Sequence, residues 1–295
     1  MDWQERLIGL YVYICEHYET HLWVHAQRLS NNDNPNFSDE EVLTLYLFGI
    51  WQKHTTIKAI YTYTLDHLLD WFPSLPSYQG YVQRLNHLAP TFAPLLEQIV
   101  ADSPISDCFS DSYSVDSMPC IIAKAKRSGK ARVASQIASK GYCASKGTWY
   151  YGVKVHIVAK QTYQHMPIPD YISLTGAADH DLSALRPLLP YLHNATIYGD
   201  KIYSDQTLKD TLLDQQNLAF YTPVKKKKGQ NIQPAADQVL SRAVSRTRQP
   251  IESLFGWINE KTSIQTACKV RSYNGLIVHI FGRLAAACLL LDFYS

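Results

Sequence analysis

The sequence lacks the marks of several common classes. None of its six cysteines (residues 15, 108, 120, 143, 268 and 288) stands in a C-x-x-C pair, so no disulfide framework or structural zinc site is expected and reduced thiols are the default. No apolar run reaches membrane-spanning length; the best candidate, Leu276 to Leu291, is interrupted by His279 and Arg283. Asp2 and Glu5 stand where a secretory leader carries basic residues, so no signal peptide is expected. There is no G-x-S-x-G elbow. Ser128-Gly129-Lys130-Ala131 lacks the first glycine and the final Ser/Thr of a phosphate-binding loop, and His17-Tyr18-Glu19-Thr20-His21 misplaces the glutamate of a zinc-protease helix. His17, His21 and His25 share one helix face by spacing, but without a companion carboxylate or thiol they read as polar surface.

Acidic residues are missing from one long stretch. Between Ser117 and Pro169 there is no Asp or Glu, against nine Lys or Arg. Net charge over all 295 residues is only +2, yet residues 1–116 carry 15 acidic and 5 basic side chains, and the remainder carries 11 and 23. Such a block suits a polyanionic partner. With 46% hydrophobic and 18% charged residues, the chain has ample material for a folded core.

Residues 1 to about 105 read as helices. Leu7, Leu10, Tyr11, Ile14 and Tyr18 recur at helical spacing. Ser38 followed by Glu41 forms a capping box after the polar loop Asn31–Asn36. Further helices are expected over about 55–71, stopped by Pro73 and Pro76, and over 78–96. From there the pattern changes. Strands are expected over 112–123, 149–159, 169–174, 195–198 and 218–222. Helices are expected over 181–192, 204–215, 240–260 and 274–292. Three strands, then alternating helix and strand, then terminal helices, make a mixed α/β (α+β) domain over 106–295. It carries a basic segment at 124–146 and a Lys-rich loop at 223–238.

Three carboxylates stand out by their surroundings. Asp116 sits inside the first expected strand, where a charge in an apolar run is unfavourable. Asp200 follows the strand Ile197-Tyr198-Gly199, and strand carboxyl ends are where sites gather in α/β sheets. Glu252 lies in the late helix, one turn after Arg248. Each has an ordinary structural explanation when taken singly. The ordered set of strand Asp, strand-end Asp and helix Glu does not.

Taken with Val115-Asp116-Ser117-Met118-Pro119, Gly152-Val153-Lys154-Val155-His156, Asp179-His180-Asp181, Gly199-Asp200-Lys201-Ile202-Tyr203 and Arg248-x-x-x-Glu252-x-x-Phe255, the chain resembles the DDE transposases of bacterial insertion sequences. Pro76-Ser77-Tyr78 to Arg84-x-Asn86 is similar to the leader region of the nine-eight-two insertion-sequence group. Many relatives carry Tyr three residues before the Arg and Lys seven after the Glu; here Ser245 and Asn259 stand there, with Lys261 nearby.

The resemblance implies an RNase H-like mixed sheet flanked by helices, as in retroviral integrases, behind an all-helical N-terminal domain that recognises DNA ends or dimerises. It implies cutting of transposon ends and joining of their 3′-OH groups to target DNA. Asp116, Asp200 and Glu252 would hold two Mg²⁺ ions, with Mn²⁺ able to substitute: Asp116 on both, Asp200 on one and Glu252 on the other. Two carboxylates about 4 Å apart repel by roughly 4 kcal/mol at an effective dielectric of 20, so such a set calls for cations or protons. Lys124, Lys126, Arg127, Lys130, Arg132, Lys140 and Lys146 would hold double-stranded DNA, with Lys225 to Lys228 as a second patch. Lys201 and Arg248 would either grip the scissile phosphate or pair with the acids. The implied partners are the terminal inverted repeats, target DNA and a second copy of the chain, with no membrane, in the bacterial cytoplasm. Two alternatives stay open: a DNA-binding descendant that has lost catalysis, and a metal-dependent nuclease that cuts without joining.

Overall fold

In the computed structural model all residues are described except 1, 29–34, 104–110, 163–165, 227–228, 231 and 294–295, and the side chains of 292 and 293. Cys108, Lys227, Lys228 and most of the Asn31–Asn36 loop therefore lie outside the described residues. The helices are α1 Trp3–His17, α2 Asp39–Trp51, α3 Ile57–His67, α4 Tyr78–His87, α5 Phe92–Asp102, α6 Asp181–Leu185, α7 Gln206–Gln216, α8 Ala235–Thr262 and α9 Tyr273–Phe293. The strands are β1 Ser112–Lys124, β2 Ser139–Cys143, β3 Thr148–Lys160, β4 Ile168–Gly176, β5 Thr196–Tyr198 and β6 Ala219–Tyr221. They form two compact units: Met1–Pro104 with Ile258–Ser295, and Ile105–Trp257.

The first unit is helical. Its helices start where side chains replace missing backbone partners: Asp2 with Glu5 at α1, and Ser38 with Glu41 at α2, both as reciprocal capping boxes. The expected helix over 78–96 is broken. Ala89-Pro90-Thr91 forms a 3₁₀ turn between α4 and α5, because proline disfavours helical backbone in the residue before it and lacks an N–H. The histidines 17, 21 and 25 do not share a regular α-helical face: α1 ends at His17, and a π turn and then a 3₁₀ turn follow. His17 Nε2 instead lies 3.1 Å from Asp102 Oδ2.

Helix α9 is the core of this unit. By length and composition alone it could cross a membrane, but most of it is buried within the fold. Tyr46 Oη donates to Val278 O at 3.1 Å, and Trp51 Nε1 to Ala286 O at 2.8 Å. A Cβ on Gly282 would lie 2.6 Å from the Tyr46 ring, so glycine here permits the helix crossing. Asp39, at the start of α2, is buried among cations: it accepts from Arg28 at 2.6 Å, from Arg84 through two nitrogens, and from Tyr18 Oη at 2.6 Å. Burial works to raise the Asp39 carboxyl, but Arg84, Tyr18 and Arg28 together hold it below its usual range.

The second unit is built on one mixed sheet. β1 pairs antiparallel with β3 and parallel with β5, and β5 pairs parallel with β6. Both β2 and β4 run antiparallel to β3, along successive parts of its outer edge. Setting the short β2 aside, the order is β4-β3-β1-β5-β6, the arrangement expected of an RNase H-like core. β2 was not expected from its sequence. On one sheet face Val115 and Val158 pack with Leu182, Leu185, Ile197, Leu212 and Phe220. On the other face, Gln161 Nε2 donates to Ser114 Oγ at 2.6 Å and to Thr247 O at 2.8 Å, tying β1 to α8.

Candidate functional site

Alternation along β1 decides what each side chain meets. Tyr113, Val115 and Ser117 share one face; Ser114, Asp116 and Met118 share the other, which α8 approaches. Asp116 is mostly buried there. Its Oδ1 accepts from the Ser117 backbone N–H at 2.8 Å, and its Oδ2 from Arg248 Nη1 at 2.6 Å. The other arm of the same guanidinium, Nη2, donates to Glu252 Oε1 one turn further along α8. Arg248 therefore bridges a strand acid and a helix acid that lie 136 positions apart (252 − 116).

Asp200 arrives from the parallel side. β5 lies beside the start of β1, with Ser114 opposite Tyr198. Gly199 N donates to Tyr221 O at 3.0 Å. A Cβ at Gly199 would come within 3.0–3.2 Å of Phe220, Val115 and Tyr203, so the glycine lets the chain pass close to β1 just before Asp200. The Asp200 charge acts on Asp116, Arg248 and Tyr203.

The electrostatics follow from burial. Desolvation raises the Asp116 carboxyl to about 6, against the pull of Arg248 and with a further push from Asp200. Burial lowers the Arg248 pKa, but the charges of Asp116, Glu252 and Asp200 outweigh it, so the guanidinium is held firmly charged. Asp116, Asp200 and Glu252 offer only hard oxygen donors, the set that Mg²⁺ or Mn²⁺ takes. Among the described residues no three His, Cys, Asp or Glu side chains are already grouped to hold an ion; between Asp116 and Glu252 stands Arg248. The donor chemistry fits a divalent cation once that guanidinium moves aside.

A second polar cluster lies on the opposite face of β1. Asp181, at the start of α6, accepts from Lys154 Nζ at 2.7 Å and from Ser117 Oγ at 3.0 Å. Lys154 Nζ also donates to Asp179 O at 2.7 Å. His156 Nε2 lies 2.7 Å from Thr175 Oγ1, and burial lowers its pKa to about 4. Sequence reasoning quoted these residues as motifs without giving them partners. The register supplies the link, since Ser117 stands opposite His156 and Pro119 opposite Lys154. Gln161 was missed altogether; a lone glutamine after a strand carries no signal of its own.

The basic side chains expected to meet DNA are set on the surface. Lys124, Lys126, Arg127, Lys130, Arg132, Lys140, Lys146, Lys201, Lys225 and Lys226 are exposed. Arg248 differs: it is largely covered and pairs with the acids.

The mixed sheet of the second unit, flanked by helices, has the strand order of an RNase H-like fold. The family model described as "Transposase DDE domain" matches residues 108–272. The chain belongs to the DDE transposase family. No curated protein and no solved structure matches it significantly.

Proposed function

We propose that this protein is an insertion-sequence transposase that cuts its DNA ends and joins the freed 3′-OH groups to target DNA, with Asp116, Asp200 and Glu252 as the acidic triad. The observation that carries the reading is the single guanidinium of Arg248 bonded to both Asp116 and Glu252, with the Asp200 charge acting on both Arg248 and Asp116. On this reading, acids 84 and 52 positions apart (200 − 116 and 252 − 200) would share one electrostatic centre.

The triad would hold two divalent cations, Mg²⁺ or Mn²⁺, which when bound supply charge neutralisation at phosphorus and a more acidic water or 3′-hydroxyl. The chain's own residues do the rest. Asp116 is anchored by the Ser117 N–H, so its second oxygen keeps a fixed direction. Ser117 Oγ in turn donates to Asp181, which is itself held by Lys154, from behind the sheet. Arg248, once parted from Asp116 and Glu252, presents a planar fork suited to a phosphate. Lys201 stands next to Asp200 on the exposed side and can meet the same strand. Lys124, Lys126, Arg127, Lys130 and Arg132 leave β1 directly and would hold the DNA backbone, with Lys225 and Lys226 beyond β6 as a second grip. The helical region before residue 105 would recognise DNA ends or pair two copies.

The test is a strand-transfer assay with precut ends, target DNA and Mg²⁺, run beside Asp200→Asn. Joined products that vanish in the variant are the expected result. Cut but unjoined DNA would make the protein a nuclease. Bound, unreacted DNA would make it a DNA-binding descendant without catalysis.

A further inference from the structure

The β2–β3 hairpin carries two large aromatic rings that the fold does not bury. Tyr142 and Trp149 stand directly opposite each other in the ladder. Their ring centroids are 5.3 Å apart, and they are 51% and 54% exposed. Lys140 Nζ lies 5.2 Å from the Trp149 ring centroid, a cation held on a π face. Lys146 lies in the exposed turn, and the Arg132 charge acts on Tyr151, the residue opposite Lys140. Every ionisable group that sequence supplies from 117 to 169 is cationic or neutral at pH 7, with no carboxylate among them. Exposed aromatics alone would suit a protein partner; exposed aromatics set in an acid-free basic segment suit a nucleic acid.

The placement points the same way. Trp149, Tyr151, Val153, Val155 and Ile157 alternate onto one face of β3. Ile157 is the register partner of Asp116, so the aromatic pair and Asp116 lie on the same face of the sheet. Eight residues at about 3.3 Å each separate Trp149 from Ile157, a span of roughly 26 Å. That is about eight base steps of duplex at roughly 3.4 Å each. In a paired, stacked duplex the bases offer only their edges; a ring platform needs a base whose face is free.

We propose that the β2–β3 hairpin is a stacking platform for an unpaired nucleotide of DNA, with Trp149 and Tyr142 against the base and Lys140 and Lys146 on adjoining phosphates. The proposal rests on the DNA-processing reading given above and adds to it a site for single-stranded DNA on the same sheet face as Asp116, about eight base steps from it. Stacking on rings tolerates any base, so no sequence preference is expected at this position.

The test uses the full-length protein in EDTA, with dT12 as the single strand and a 20-base-pair duplex as comparison. Binding of dT12 should quench tryptophan fluorescence. Trp149→Leu should abolish most of that quenching and weaken dT12 binding about tenfold, while changing duplex binding less than twofold. Tyr142→Leu should weaken dT12 binding in the same sense. Trp149→Phe should restore the affinity but not the quenching. Both positions are exposed, and unchanged circular dichroism melting would show that the variants fold. Equal losses for single strand and duplex would overturn the platform in favour of a general phosphate contact. Unchanged dT12 binding would overturn it outright, as would a variant that altered only self-association by sedimentation, which would mark the hairpin as a contact between copies. Joining activity lost in Asp200→Asn while Trp149→Leu binds dT12 normally would remove the platform and leave the transposase reading standing.

Discussion

Arg248 Nη1 lies 2.6 Å from Asp116 Oδ2, and the same guanidinium bonds Glu252. A protein cation thus sits between two of the three acids proposed to take divalent metal. Removing it should leave the carboxylates less compensated and more attractive to an added cation. Arg248→Gln is expected to tighten Mn²⁺ binding about tenfold, equivalent to roughly 1.4 kcal/mol, in calorimetry on the DNA-free protein. The same variant should bind DNA ends more weakly, because a fork for phosphate is gone. Unchanged or weaker Mn²⁺ binding would show that Arg248 does not compete for this place.

The Asp116 carboxyl carries a pH signature of its own. Its ordinary value is 3.8 and burial lifts it to about 6 in the folded protein. The folded state therefore holds the proton more tightly than the unfolded chain between those values. The contribution of this group to stability is therefore greatest below about pH 4, falls as pH rises through 4 to 6, and carries its full cost above 6. Two units correspond to about 3 kcal/mol. Asp116→Asn removes the charge at constant volume. In EDTA it should stabilise the protein by about 1–3 kcal/mol at pH 8, with the gain vanishing near pH 4. Urea midpoints measured across that range decide it; a destabilised variant at pH 8 would mean the Arg248 pair outweighs desolvation.

Asp39 tests the opposite case, a buried acid that its neighbours hold ionised. Arg28, Arg84 and Tyr18 all donate to it. Asp39→Ala strands two guanidinium groups in a covered site, and losing one partner of such a set costs about 3–5 kcal/mol. The urea midpoint should fall steeply. Glu260→Ala, which removes a pair with Lys261 in which the Glu side chain is 71% exposed, should leave the midpoint nearly in place. Similar shifts for both would remove the special role of the Asp39 cluster.

The three acids could be singled out as candidates from the sequence because each stands in an apolar or structured context, and because their chain order matches the resemblance. The capping box at Ser38 was legible because it is local. What escaped depends on long-range pairing. Ser139-Lys140-Gly141-Tyr142-Cys143 has no strong alternation and becomes a strand by adding to the edge of β3. Its Gly141 is required because a Cβ would run into the carbonyl of Ala177. Arg248 could be matched by spacing only to Glu252, four residues on; Asp116 is 132 residues away and joins it only through the fold. Lys154, Asp181 and Ser117 were visible as motif residues, but their meeting depends on the β1–β3 register.

His279 offers a last test, in the helical unit. It is buried on α9, its Nε2 is 2.9 Å from Ile264 O, and Arg283 Nε donates to its Nδ1 at 3.2 Å. That pattern fixes a neutral ring with Nε2 as donor. Burial first, and the Arg283 charge second, lower its pKa from 6.5 to about 3. Below pH 6.5 the unfolded chain takes a proton that the folded ring refuses, so folding loses up to about 1.4 kcal/mol per pH unit as pH falls towards 3. His279→Gln keeps a donor and an acceptor but does not titrate. It should flatten this part of the stability profile, so that the variant gains on the wild type with each step below pH 6.5. Urea unfolding at pH 7.5, 6, 5 and 4 reads the difference. Parallel profiles would mean that His279 takes up a proton as easily in the folded protein as in the unfolded chain, and that the Arg283–His279–Ile264 chain of hydrogen bonds does not hold the ring neutral.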